Sequence, residues 1–189
     1  MTCRGIFAFT VATIVMAAGC VDSDPDAQAA QLPAGAGSRQ PGTYQGTARS
    51  VDCTVTRVAD GDSMTCGSAG RVRLLSIDSP ELSQGTIGRN ARNVLLRLMP
   101  IGTRVRIETD IRERDQYDRI LGYIYLTDGR MVNEEMAKSG YATALVYPPN
   151  VRHAELIRAA VDEARRAKRG LWATPSFDCA PRDHRARKC

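Results

Sequence analysis

The apolar positions change period several times along the chain, and each change marks an element. "CTVTRV" (53–58) alternates with period two and reads as a strand. "ADGD" follows as an Asp-Gly hairpin turn, and "SMTC" begins the returning strand. "RVRLLSI" (71–77) is a third strand, with Val72, Leu74 and Ser76 on one face and Arg73, Leu75 and Ile77 on the other. "RNARNVLLRLM" spaces Ala91, Val94, Leu95 and Leu98 for a helix, which Pro100 and Gly102 stop. "TRVRIET" and "ILGYIYL" predict two more strands, the second closing on "TDGR". "NEEMAKSG" predicts a short helix with Asn133 as N-cap and Gly140 past its end. "AELIRAAVDEARRAKRG" puts Ile157, Ala160, Val161 and Ala164 on one stripe and stops at Gly170, leaving Leu171 and Trp172 to enter the core. Three strands, a helix, two strands and two helices describe an α+β fold: a five-stranded OB-type β-barrel with one inserted helix and two C-terminal helices.

Ahead of Val51 this patterning is missing. Arg4 precedes an apolar run, Ile6 to Ala18, interrupted only by Thr10 and Thr13. The run is too short to span a bilayer and suits a signal-peptide core. It ends in Ala17-Ala18-Gly19-Cys20, which resembles a lipoprotein signal with Cys20 as the acylated residue, although Ala17 stands where a larger aliphatic is usual. Residues 1–19 are therefore expected to be a signal peptide and 20–50 a flexible tether rich in Ala, Gln, Gly, Pro and Ser. Residues 51–175 are the folded domain and 176–189 a basic, Cys-flanked tail. The expected location is a membrane-anchored lipoprotein, with secreted or periplasmic protein as the alternative.

Export changes the meaning of the cysteines. Of six, Cys3 leaves with the signal and Cys20 is the lipidation candidate. Cys53, Cys66, Cys179 and Cys189 remain in an oxidising compartment, where four cysteines allow three pairings. No C-x-x-C spacing is present, and His153 and His184 are the only histidines, so disulfides are expected rather than zinc. Cys53 and Cys66 flank the Asp60-Gly61 turn almost symmetrically, which predicts Cys53–Cys66 and hence Cys179–Cys189. The net charge of +5 favours polyanions or anionic membranes without bearing on the fold.

The candidate chemistry lies in "ADGDSM", "RVRLLSIDSPE", "RDQYDRILGYIY" and "MVNEEMAKSGYA". In that order and spacing, from about Cys53 to Trp172, these segments resemble the staphylococcal nuclease (thermonuclease) family. The resemblance implies calcium carboxylates at Asp62 and Asp78 and a carbonyl ligand at Ser79. It implies a water-activating base at Glu81, phosphate-binding arginines at Arg73 and Arg119, and substrate contacts at Tyr117 and Tyr147. The activity it implies is calcium-dependent hydrolysis of DNA or RNA phosphodiesters, by in-line attack of water giving 3′-phosphate products; a monomer is expected.

The residue chemistry agrees. Calcium takes hard oxygen ligands, and a turn and a strand end can bring two carboxylates to one ion. Guanidinium forks match phosphate oxygens. Taken singly, each residue has an ordinary explanation: Asp62 as turn chemistry, Arg73 as a rim residue, Arg119 paired with Asp115 or Asp118, His153 on a helix surface. Jointly they favour the nuclease over the alternative, a non-catalytic OB-fold nucleic-acid-binding or scaffold module.

Three positions depart from the family. Asp118 stands where glycine is usual, implying weaker phosphate affinity beside Arg119. Leu145 replaces one of two nucleotide-side tyrosines, and the loop "LSQGTIGRN" is short and lacks the family's lysines. The tail "DCAPRDHRARKC" falls outside the resemblance. It reads as a solvated, stapled basic end, with added phosphate contacts as the alternative.

Overall fold

The computed structural model describes residues 49–67 and 69–189; Cys20, the signal segment and most of the tether lie outside them. In chain order the strands are β1 (Ser50–Val58), β2 (Ser63–Cys66), β3 (Gly70–Leu74), β4 (Ile77–Asp78), β5 (Arg104–Arg114), β6 (Ile120–Leu126) and β7 (Thr143–Ala144). The helices are α1 (Thr86–Leu98), α2 (Val132–Lys138), α3 (Ala154–Arg166) and α4 (Pro181–Arg185). Strands β1-β2-β3-β6-β5 form a closed barrel, and β4 and β7 form a separate two-stranded ladder. The α+β barrel expected from the apolar pattern is therefore present, with α1 inserted after the third barrel strand.

Alternation on β1 buries Cys53 and Val55. An irregularity between Val55 and Arg57 then shifts the register so that Val58 is buried as well. These residues meet Met64, Val72, Leu74, Val105, Ile107 and Ile124 in one apolar core, onto which α1, α2 and α3 bring Leu95, Met136 and Ile157. The predicted stripe on α3 is buried as expected. A disulfide joins Cys53 to Cys66 across β1 and β2, and a second joins Cys179 to Cys189.

Three expectations need correction. The strand 71–77 is not continuous: it ends at Leu74 and turns at Leu75-Ser76, where Ser76 takes a φ of 63°. The kink is held from outside the segment, since Ser76 Oγ bonds Tyr123 Oη (3.1 Å) and the Ser76 carbonyl accepts from the Leu145 amide (2.9 Å). Asn133 is not the N-cap of α2; Met131 is. Asn133 is fully buried, donating to the Leu75 (2.9 Å) and Gly122 (3.2 Å) carbonyls and accepting from the Ile124 amide (2.9 Å). It thus satisfies backbone groups where β3 and β6 run parallel. His153 is not a free surface residue: it precedes α3, packs edge-on against the Tyr123 ring (4.5 Å) and bonds Tyr125 Oη (3.2 Å).

Candidate active site

The kink at Leu75-Ser76 brings Asp78 and Arg73 together. On an unbroken strand they would face opposite ways; after the turn, Asp78 Oδ1 lies 3.3 Å from Arg73 Nη2. Asp62 arrives from the turn between β1 and β2, and its Oδ2 lies 3.2 Å from the same nitrogen. Two buried carboxylates thus converge on one point.

Asp62 is fixed on both sides. Its Oδ2 accepts the Ser79 amide (2.8 Å), its Oδ1 accepts the Ser63 hydroxyl (3.1 Å), and its carbonyl accepts the Leu74 amide (2.9 Å). The turn fits because residue 61 is glycine: a Cβ there would stand 1.8 Å from Ser79 Oγ and 2.9 Å from the Ala91 Cβ of α1. Ser79 Oγ itself is buried without a hydrogen-bond partner. No group of three or more His, Cys, Asp or Glu fit to hold a metal occurs among the described residues. The donor set here is two carboxylates with a serine beside them, hard oxygens that suit a cation completed by carbonyl and water. Burial, then the charge of Asp62, push the Asp78 carboxyl up from its ordinary value against the pull of Arg185 and Arg73. Asp60, beside the turn, is pushed up to about 6, first by burial and then by Asp62.

Glu81 lies one short turn beyond Asp78, and its side chain is 39% exposed. Its amide donates to Gln84 Oε1 (3.0 Å), and α1 passes so close that a Cβ on Gly88 would lie 1.9 Å from the Glu81 carbonyl oxygen. The segment after Glu81 is a single 3-10 turn, Leu82–Gln84, leading directly into α1.

Arg119 immediately precedes β6, the parallel neighbour of the strand that carries Arg73. Its Nε donates to Asp115 Oδ2 (2.7 Å), and its own amide donates to Asp115 Oδ1 (3.0 Å). Burial works against the Asp115 charge, but hydrogen bonds from Arg119 and from the Tyr117 amide outweigh it and hold this carboxyl below the usual range. Asp118 makes no hydrogen bond or ion pair with Arg119 among the described residues. It has a φ of 58°, a region in which glycine is at ease and aspartate tolerated, and it pairs with Arg114 instead (3.2 Å). The weakened phosphate affinity expected from it therefore has no contact behind it.

Arg73, Asp62, Glu81, Arg119, Tyr117 and Tyr147 line one cleft of about 760 Å³. Tyr117 stacks under Arg119 (5.6 Å to the ring centroid), and both tyrosines are well exposed. Tyr147 sits in a loop pinned to β5 through Asn150, which accepts the Arg112 amide (2.7 Å) and donates to its carbonyl (2.8 Å). The sequence-selected residues fall into two contact groups: Asp62, Asp78, Ser79 and Arg73, with Glu81 on the following turn, and Arg119 with Tyr117. No hydrogen bond joins the groups among the described residues.

Sequence reasoning missed Arg185. The tail is not simply solvated: Pro181 is buried, and Arg185 lines the cleft and donates to Asp78 and Glu81. The only sequence signal was the pair of cysteines flanking a basic segment.

Residues 71–174 match the family model described as staphylococcal nuclease homologue. The chain is 36% identical over 126 residues to a thermonuclease of Staphylococcus intermedius, covering 62% of this chain and 74% of that protein. It is 33% identical over 127 residues to a thermonuclease of Staphylococcus hyicus, covering 63% and 74%. To an uncharacterized endonuclease of Escherichia coli it is 37% identical over 122 residues, covering 63% and 75%.

Proposed function

The chain belongs to the staphylococcal nuclease family and is a nuclease; on that premise we propose that it is an exported, calcium-dependent phosphodiesterase that cuts DNA or RNA and leaves 3′-phosphate ends. The observation that carries the reading is the convergence of Asp62 and Asp78 within 3.3 Å of one Arg73 nitrogen, with Glu81 on the following turn.

Asp62, Asp78 and the Ser79 carbonyl are the residues that would hold calcium; bound there, it would supply charge neutralisation at the phosphate and a more acidic water. Glu81 takes a proton from the attacking water. The new P–O bond forms opposite the bond to the 5′ oxygen, which breaks. The departing oxygen takes up a proton from solvent and the phosphate stays on the 3′ side. Arg73 and Arg119 donate to the equatorial oxygens, where negative charge grows. The two terminal nitrogens of Arg119 have no hydrogen-bond partner among the described residues, which leaves them for substrate. A non-catalytic barrel would have no need of Asp62, Asp78 and Glu81 together.

Single-turnover cleavage of one oligonucleotide, with calcium titrated, tests the reading. Glu81→Gln is expected to keep nucleic-acid affinity and lose on the order of 10²-fold in rate, and chelation is expected to abolish cleavage. Undiminished rates in both conditions refute it.

Export is supported by the two disulfides, which suit an oxidising compartment. Detergent partitioning of the full chain against Cys20→Ser tests the anchor: the native chain should enter detergent and the variant should stay aqueous.

A further inference from the structure

Arg185 reaches the metal carboxylates from outside the region matched to the family, which ends at residue 174. It is the last residue of α4, inside the loop closed by Cys179–Cys189. Its Nη2 donates to both oxygens of Asp78 (3.0 and 2.8 Å), and its Nη1 donates to Glu81 Oε1 (3.2 Å). The loop is docked at further points. His184 Nε2 lies 3.2 Å from Ser83 Oγ, Gln84 Nε2 donates to the Cys179 carbonyl (3.3 Å), and Pro181 is buried. Arg185 therefore has a seat built on both sides, by the turn after Glu81 and by the staple.

The bonds compete with metal coordination. Asp78 is 1% exposed, and Arg185 uses both of its oxygens, one of which also accepts from Arg73. A calcium–carboxylate bond of 2.3–2.6 Å needs the same lone pairs. Resting on the metal reading above, we infer that Arg185 is a third arginine of the active centre, holding Asp78 and Glu81 as a built-in cation that calcium must displace. The tail and the metal are alternative occupants of the same carboxylates. The staple keeps the guanidinium at high local concentration, so the competition is intramolecular.

The test uses the folded protein and calcium alone, without substrate. Calcium affinity is measured by titration calorimetry for wild type, Arg185→Gln and the double variant Cys179→Ser/Cys189→Ser. Hydrogen exchange of residues 179–189 is followed with and without calcium. Removing the competing cation is expected to tighten calcium binding about tenfold, the scale of one charge-assisted contact. The unstapled variant is expected to tighten it by less, and calcium should speed exchange in the wild-type tail. Unchanged or weaker affinity in Arg185→Gln overturns the inference, as does a tail whose protection ignores saturating calcium. A slower Arg185→Gln enzyme with unaltered calcium affinity makes Arg185 a substrate contact and likewise overturns it. If neither wild type nor Arg185→Gln binds calcium, the metal reading falls too, which separates the two failures.

Discussion

The two arginines proposed to bind phosphate are held in different ways. Arg73 is 15% exposed, and its partners are Asp62 and Asp78, the carboxylates expected to bind metal. Its Nη1 is also spent, on the Leu74 carbonyl (2.6 Å). Arg119 is 28% exposed, and its partner Asp115 comes from its own turn and touches neither carboxylate. Arg73 is thus coupled to whatever occupies the metal site, while Arg119 is oriented by a local device that works with or without metal. Losing the first should disturb the fold and the metal site together, and losing the second only the chemistry.

The sharpest way to break this contrast is Arg73→Ala. It leaves the buried Asp62 without a cation and Asp78 with Arg185 alone, so a loss of about 3 kcal/mol in unfolding free energy is expected, partly restored by saturating calcium. Denaturant unfolding with and without calcium reads it, and equal losses in both conditions would uncouple Arg73 from the metal. Arg119→Lys comes next. Stability should hold within about 0.5 kcal/mol, while kcat falls on the order of 10²-fold because a point charge lacks the fork.

Asp115→Asn probes the local device. The Asp115 carboxyl is held below its ordinary value, so its contribution is fully present above roughly pH 4 and is lost as pH falls through the lowered folded value. The variant should lose about 1 kcal/mol near neutrality and show a shallower loss of stability below pH 4, measured by denaturant titration across pH. Asp118→Gly should do least: the left-handed backbone is eased, and Arg119 is untouched. Stability should move by less than about 1 kcal/mol and the cleavage rate by less than twofold. A large rate gain would show that Asp118 acts on phosphate at a distance after all.

The barrel was legible because period-two and helical spacing run through every element that carries it, from β1 to α3. The carboxylates were legible through resemblance and because each ends a turn or strand. Other features carried no local signal. Leu75-Ser76 contains neither Gly nor Asn, so the kink that unites Asp78 with Arg73 reads as plain strand; Tyr123 and Leu145, distant in sequence, hold it. Asn133 looked like a cap because caps and buried bridges use the same side chain, and only the parallel strands it joins distinguish them. Arg185 sits among other basic residues in a short tail, and nothing local marks which one turns inward.

Two barrel seams join strands far apart in sequence: β1 with β5, Ser50 with Glu108, and the parallel pairing of β3 with β6, Val72 with Ile120. Hairpins β1-β2 and β5-β6 pair neighbouring segments, whereas the β3-β6 seam, like β1-β5, joins strands dozens of residues apart and adds non-local contacts, which slow folding. Arg73 and Arg119 flank that seam, so the cleft between them exists only once it has zipped. The cleft is thus a product of barrel closure, and no isolated hairpin carries it.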